Sequence, residues 1–212
     1  MSNDFHAEVE KLRTWLQTNR WADAYDGWWC EGGVVSALDD FLAQVAPQEW
    51  SESEVTDLLY LLEQSSTDDT IERVTRTEAM ALAIARHALA CGSVASDDVA
   101  RQLGHCVGSR DEAEALLLAF MRDPHGGTRR MALLSLADLQ SAAVPALAVA
   151  EWETGDEHGR MGALAALKIV GSDVFAPYLS RALEDGRANL LALARRYAGE
   201  GGATDQTITT RQ

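Results

Sequence analysis

Proline is scarce in this chain. Four prolines in 212 residues exclude a Pro-rich linker protein. Cysteine is scarce too. Cys30, Cys91 and Cys106 are odd in number and widely spaced, so they form no disulfide framework. A reducing, cytoplasmic setting is the expectation. No apolar run reaches membrane-spanning length. The two best stretches, 79–90 and 131–150, are interrupted by Arg86 with His87 and by Asp138. The first turns mix charges throughout and offer no apolar segment of a secretory signal, and neither end shows a lipidation motif. Positive charge is the last deficit. Lys and Arg number 18 against 33 Asp and Glu, a net charge of −15. That balance argues against direct nucleic-acid binding through broad phosphate neutralisation.

Catalytic signatures are missing as well. There is no G-x-S-x-G elbow and no recognisable Cys-His-Asn spacing. The glycine pairs Gly32-Gly33, Gly126-Gly127 and Gly201-Gly202 match no phosphate-binding loop. Gly126-Gly127 is expected in a turn, where glycine permits positive φ. His87 and Cys91 sit one helical turn apart, with His105-Cys106 further on. Adjacent His and Cys on a helix diverge by about 100°, which makes a poor zinc site. Cys30 lies beside Glu31, and a carboxylate raises a thiol pKa. The acidic pairs Asp39-Asp40, Asp68-Asp69 and Asp97-Asp98 suit helix caps or solvated faces better than acid–base chemistry. The expectation is a non-enzyme with no cofactor and no metal.

What is present is helical periodicity. Apolar residues make up 47% and charged residues 24%, so the chain can bury a core of its own. Val9, Leu12 and Leu16 share one face, with Trp15 expected to pack beside them. Val35, Leu38, Phe41, Leu42 and Val45 form a second face that ends before Pro47. Ser51 or Ser53 caps a third helix carrying Val55, Leu58, Leu59 and Leu62. One long helix is expected from about Thr70 to Ala90, stopped by Gly92. Ser96 is expected to cap a short helix, and Ser109 to start another with Ala113, Leu116, Leu117 and Phe120. No segment shows sustained period-two alternation, so strands are not expected.

The second half repeats itself. Arg129, Ala132, Leu133 and Leu136 recur as Arg160, Ala163, Leu164 and Leu167, a shift of 31 residues. Each copy follows a polar turn, and each turn follows an apolar helix. A third copy runs from Val174 through the turn Glu184-Asp185-Gly186 to Ala194, with Leu191 where arginine is expected. The matching positions of Arg129 and Arg160 favour a structural job, bonding turn carbonyls or acidic groups between layers. A period of this length built from helix pairs signals a solenoid, because one pair cannot bury its apolar faces alone.

The Asp123-Pro124 turn, the arginine near the start of the second helix and the Ala-Leu pattern resemble HEAT-like repeats of the phycobilin-lyase type. The resemblance covers about 111–197, with a looser echo at Arg76-Thr-Glu-Ala79. It implies an all-α fold, a right-handed α-solenoid of stacked antiparallel helix pairs. It also implies a protein-interaction scaffold, although some relatives attach bilins or excise DNA bases. The expected organisation is an acidic, Trp-rich helical part at 1–70, repeats at 71–198, and a disordered tail at 199–212.

Charge and aromatics concentrate at the other end. Residues 1–70 hold 15 acidic and three basic side chains, so a third of the chain carries −12 of the −15. Five of six tryptophans precede residue 51. Trp21, Tyr25, Trp28 and Trp29 alternate with Asp23, Asp26 and Glu31, and Asp68 and Asp69 extend the acidic run. Aromatic anchors beside carboxylates are the composition of a hot spot for an Arg- or Lys-rich protein. These nine residues are the expected partner-binding set. The specific reading is an immunity or inhibitor protein neutralising a basic toxin enzyme. The alternatives are a HEAT-like lyase or a scaffold subunit of a larger complex.

Overall fold

A computed structural model describes residues 3–18, 33–64, 68–93 and 95–199. Among them are twelve α-helices, one 3-10 turn and no strand. The chain divides into two compact units, Met1–Leu116 and Leu117–Gln212.

The first unit opens with α1 (Asn3–Thr18), α2 (Val34–Gln44), the 3-10 turn Pro47–Glu49 and α3 (Glu52–Gln64). The expected faces are the buried ones. Val9 and Leu12 of α1, Leu38, Phe41 and Leu42 of α2, and Val55, Leu58, Leu59 and Leu62 of α3 all lie in the core. Phe5 joins them by stacking on Phe41, with ring centroids 4.8 Å apart. Leu16 and Trp15 are only half-buried, and Val34 takes the core position expected of Val35. Ser51, not Ser53, begins α3, through a reciprocal box. Glu54 N–H donates to Ser51 Oγ at 3.3 Å, and Ser51 N–H donates to Glu54 Oε2 at 2.8 Å.

The long helix expected over 70–90 is two helices, α4 (Asp68–Val74) and α5 (Glu78–Cys91). Thr77 causes the break. Its backbone is extended, and its Oγ1 accepts from Met80 N–H at 3.2 Å, which restarts the helix. Two short helices follow, α6 (Ser96–Leu103) and α7 (Arg110–Phe120). Ser96 does not cap α6. Its hydroxyl donates back to Ser93 C=O at 2.6 Å, while Ser93 Oγ accepts from Ala95 N–H.

The second unit contains α8 (Gly126–Asp138), α9 (Val144–Thr154), α10 (Glu157–Ile169), α11 (Phe175–Glu184) and α12 (Ala188–Ala198). Helices α8, α10 and α12 begin 31 residues apart, at Gly126, Glu157 and Ala188. They form one layer, in which α10 packs on both α8 and α12. Helix α9 packs against α10, and α11 against α12. The small residues of the repeat allow the close approach. A Cβ at Gly162 would lie 2.6 Å from Arg130 Cγ. Gly126-Gly127 forms the first turn of α8, so it needs no positive φ there. Positive φ falls instead at Gln140 (53°) and Gly171 (62°), one repeat apart. Each is followed by a serine whose N–H closes back on the helix, Ser141 to Leu136 C=O at 2.9 Å and Ser172 to Leu167 C=O at 3.0 Å.

Carboxylates tie the repeats together. Glu157, the first residue of α10, accepts from the N–H groups of Asn189 and Leu190 at 2.8 and 3.1 Å, and so caps α12. Glu78, the first residue of α5, holds the turn that precedes α7 by accepting from Gly108 N–H and Ser109 Oγ–H. In the second unit the Leu190 amide bond holds the Glu157 carboxyl below its ordinary value. The Gly159 amide bond does so for Asp156, and the Arg181 bond for Glu153. Arg187 and Arg160 hold the Asp185 carboxyl well below the usual range. Depressed carboxyls stabilise the fold above their unfolded values and lose that stabilisation as pH falls through the folded ones. The ordinary values are 3.8 for Asp and 4.5 for Glu. The urea midpoint of residues 117–198 should therefore hold from pH 7 to about pH 5 and then drop steeply toward pH 3. Glu157→Gln should flatten that drop. An acid profile identical to the parent would refute the cross-repeat cap.

Candidate partner-binding surface

Of the nine residues expected to bind a partner, Asp69 lies exposed in the first turn of α4. Asp68 is the residue on which that helix begins. Trp21, Asp23, Tyr25, Asp26, Trp28, Trp29 and Glu31 lie outside the described residues.

The acidic side chains of the first unit separate into two groups. Some are consumed internally. Asp57, with its side chain 2% exposed, accepts from Arg13 Nη2 at 2.9 Å and pairs with His6 Nδ1 at 2.6 Å. Arg13 also pairs with Glu10 and lies 4.5 Å over the Tyr60 ring. This node pins α1 to α3. Its hydrogen bond and charge raise the His6 pKa above the ordinary 6.5. Asp39 accepts from Arg73 at 2.6 Å, and Glu63 accepts from Ser93 at 2.8 Å. Asp4 and Asp40 are exposed and outside these pairs, while Glu8 is half-buried and pairs with Lys11. Asp4 and Glu8 stand one turn apart on α1, and Asp40 stands opposite on α2.

Between these carboxylates runs a groove of about 400 Å³. Ser36, Ala37, Gln44 and Val45 line its α2 wall, and the buried Phe5 and Phe41 only border it. The sequence pattern did not single out this groove. Asp4 and Glu8 show ordinary i, i+4 spacing, and Asp40 is 32 residues beyond Glu8. Only the packing of α1 on α2 brings them together.

His6, Glu10 and Asp57 place one ligand atom each within 4.8 Å of one another. Arg13 already occupies Glu10 and the second oxygen of Asp57, so the trio is an ion-pair node with a cation of its own. The Cys106 thiol is buried, and that burial pushes its pKa to about 11. A thiol so protonated is neither nucleophile nor ready metal ligand.

Arg129 and Arg160 have structural partners. Arg129 Nη1 donates to the Asp123 and Pro124 carbonyls at 2.9 and 3.0 Å, and its Nε donates to Glu151 at 3.1 Å. Arg160 donates to Asp185 at 2.7 Å and lies 5.4 Å over Trp152. The repeat arginines therefore close turns and bridge helices.

Residues 113–198 match the family model of HEAT repeats. No curated protein and no solved structure matches the chain. Among the described residues, no helix is long and apolar enough to cross a membrane.

Proposed function

We propose that the chain is a protein-binding module whose acidic first part engages a basic protein, a reading supported by the match of residues 113–198 to HEAT repeats. HEAT repeats generally serve protein interaction or scaffolding, since stacked helix pairs expose extended binding surfaces. The observation that carries the specific reading is charge placement. Residues 1–70 hold −12 of the net charge, and Asp4, Asp40 and Asp69 stand on the surface, apart from the internal ion pairs. A surface of one sign steers a complementary partner into contact and accelerates association. In its sharpest form the module is an immunity or inhibitor protein. It masks a toxin enzyme whose basic active surface binds phosphate, and it carries out no reaction itself.

Affinity capture from the source cells at low and at high salt tests this reading. A single basic protein, retained at low salt and released or weakened at high salt, is the expected result. Recovery of only further copies of the chain, or of acidic proteins indifferent to salt, would overturn it.

A further inference from the structure

One buried carboxylate ties α1 to α3. The Asp57 side chain is 2% exposed, and among the described residues both of its cationic partners come from α1. Arg13 Nη2 donates to Oδ1 at 2.9 Å, and His6 Nδ1–H donates to Oδ2 at 2.6 Å. His6 and Arg13 are seven positions apart, about two helical turns, so they project from one stripe of α1. Glu10 stands between them and pairs with Arg13. Tyr60, one turn beyond Asp57 on α3, lies against the Arg13 guanidinium.

The two bonds to Asp57 differ in kind. Arg13 is held by Asp57, Glu10 and the Tyr60 ring together, and a guanidinium keeps its charge throughout. The His6 side chain is 54% exposed, so its ring exchanges protons freely with water. The charged groups that act on that ring include Asp57 from α3 and Glu10 and Arg13 from α1. Burial pushes the Tyr60 hydroxyl above its ordinary 10. Carboxyl groups titrate well below neutrality. The imidazole is therefore the group of this node that changes charge near neutral pH.

We infer that His6 is a pH-responsive latch: protonated, it clamps α1 onto α3 through Asp57, and on losing its proton it loosens that clamp. The imidazolium makes a charge-assisted bond, about twice as strong as a neutral one. It is also the second cation of the node, balancing Asp57 and Glu10 beside Arg13. Neutral His6 leaves two carboxylates against one guanidinium. The bond and charge of Asp57 raise the His6 pKa above the ordinary 6.5. The stabilisation is thus full below about pH 6.5 and is lost as pH rises through the folded value. Phe5, Val9 and Leu12 stay in the core in either state, so the proton governs how often α1 opens and not where it lies. Helix α1 also bears exposed Asp4, so the latch sets how firmly part of the acidic surface is held.

Amide exchange of the full chain, followed by NMR between about pH 5.5 and about pH 8.5, tests the latch. Rates are corrected for the intrinsic pH dependence of exchange, and the His6 ring is titrated in the same samples. Protection of the Val9 and Leu12 amides should fall about fivefold across the His6 titration, whose midpoint should lie above 6.5. His6→Gln keeps a donor and cannot titrate, and at this exposed position it should fold as the parent does. Its α1 protection should be independent of pH and match the parent's high-pH level. Flat α1 protection in the parent, a His6 midpoint at or below 6.5, or a His6→Gln variant that keeps the pH dependence would each overturn the latch.

Discussion

Trp152→Ala should lower the unfolding free energy of the repeat unit by about 3–5 kcal/mol, the range for emptying a fully buried aromatic site. Trp152 is 1% exposed and is the largest fully buried side chain among the described residues. It sits on α9 against α10 and meets Tyr178 of α11 edge-on, with centroids 5.2 Å apart. Arg160 and Arg181 each place a guanidinium 5.4 Å from its ring. One side chain thus joins three consecutive helices, and alanine would leave a cavity that rigid helix pairs cannot close. The companion Trp152→Phe separates packing from polarity. The indole Nε1–H has no acceptor among the described residues, so phenylalanine deletes an unsatisfied donor as well as some volume. Its cost should be well below that of alanine, roughly 1–2 kcal/mol. Urea unfolding followed by circular dichroism measures both. A loss under about 1 kcal/mol for alanine would mean the indole does not join the helices as described.

The second large effect concerns Arg129 and Glu151. Glu151 has a side chain 6% exposed, and the two nitrogens of Arg129 that reach it lie at 3.1 and 3.3 Å. Arg129→Met alone should cost about 3–5 kcal/mol, because it leaves a buried carboxylate without its cation. Glu151→Leu alone should cost about 3 kcal/mol or less. Arg129 would keep the Asp123 and Pro124 carbonyls, and with a side chain 26% exposed it reaches water. The double variant should be far milder than the two losses combined, since apolar replacement of a whole buried pair is often nearly neutral. A four-protein cycle by urea unfolding gives the coupling energy. Strictly additive losses would show that the pair does not act as a unit.

The repeat was legible because its chemistry is periodic. Arg129 and Arg160 mark the same turn-closing position, and helix starts follow the same 31-residue shift. The break at 75–77 leaves no mark on the apolar spacing, which continues through it. The signal was Thr77 followed three residues later by the amide it caps, and such local hydrogen bonds do not alter hydrophobic period. The inter-helix turn was hidden differently. Gly171-Ser172 shows its left-handed residue openly, whereas Gln140-Ser141 performs the same turn without glycine. On the acidic side, net charge located the surface but could not sort it. Asp57 counts as one of the 15 acids, yet it is buried against His6 and Arg13. Its partners are 51 and 44 positions away, a pairing that only tertiary packing creates.

Under the proposed function, the acidic first third of the chain steers a basic protein into contact. Association rates of the captured partner, measured against ionic strength, test it most directly. The comparison is the parent chain with the charge-reversed variant Asp23→Lys, Asp26→Lys and Glu31→Lys. The parent should associate fast and slow steeply with salt, and the variant should associate about tenfold more slowly with a shallower salt slope. Equal rates and equal slopes for both proteins would contradict it.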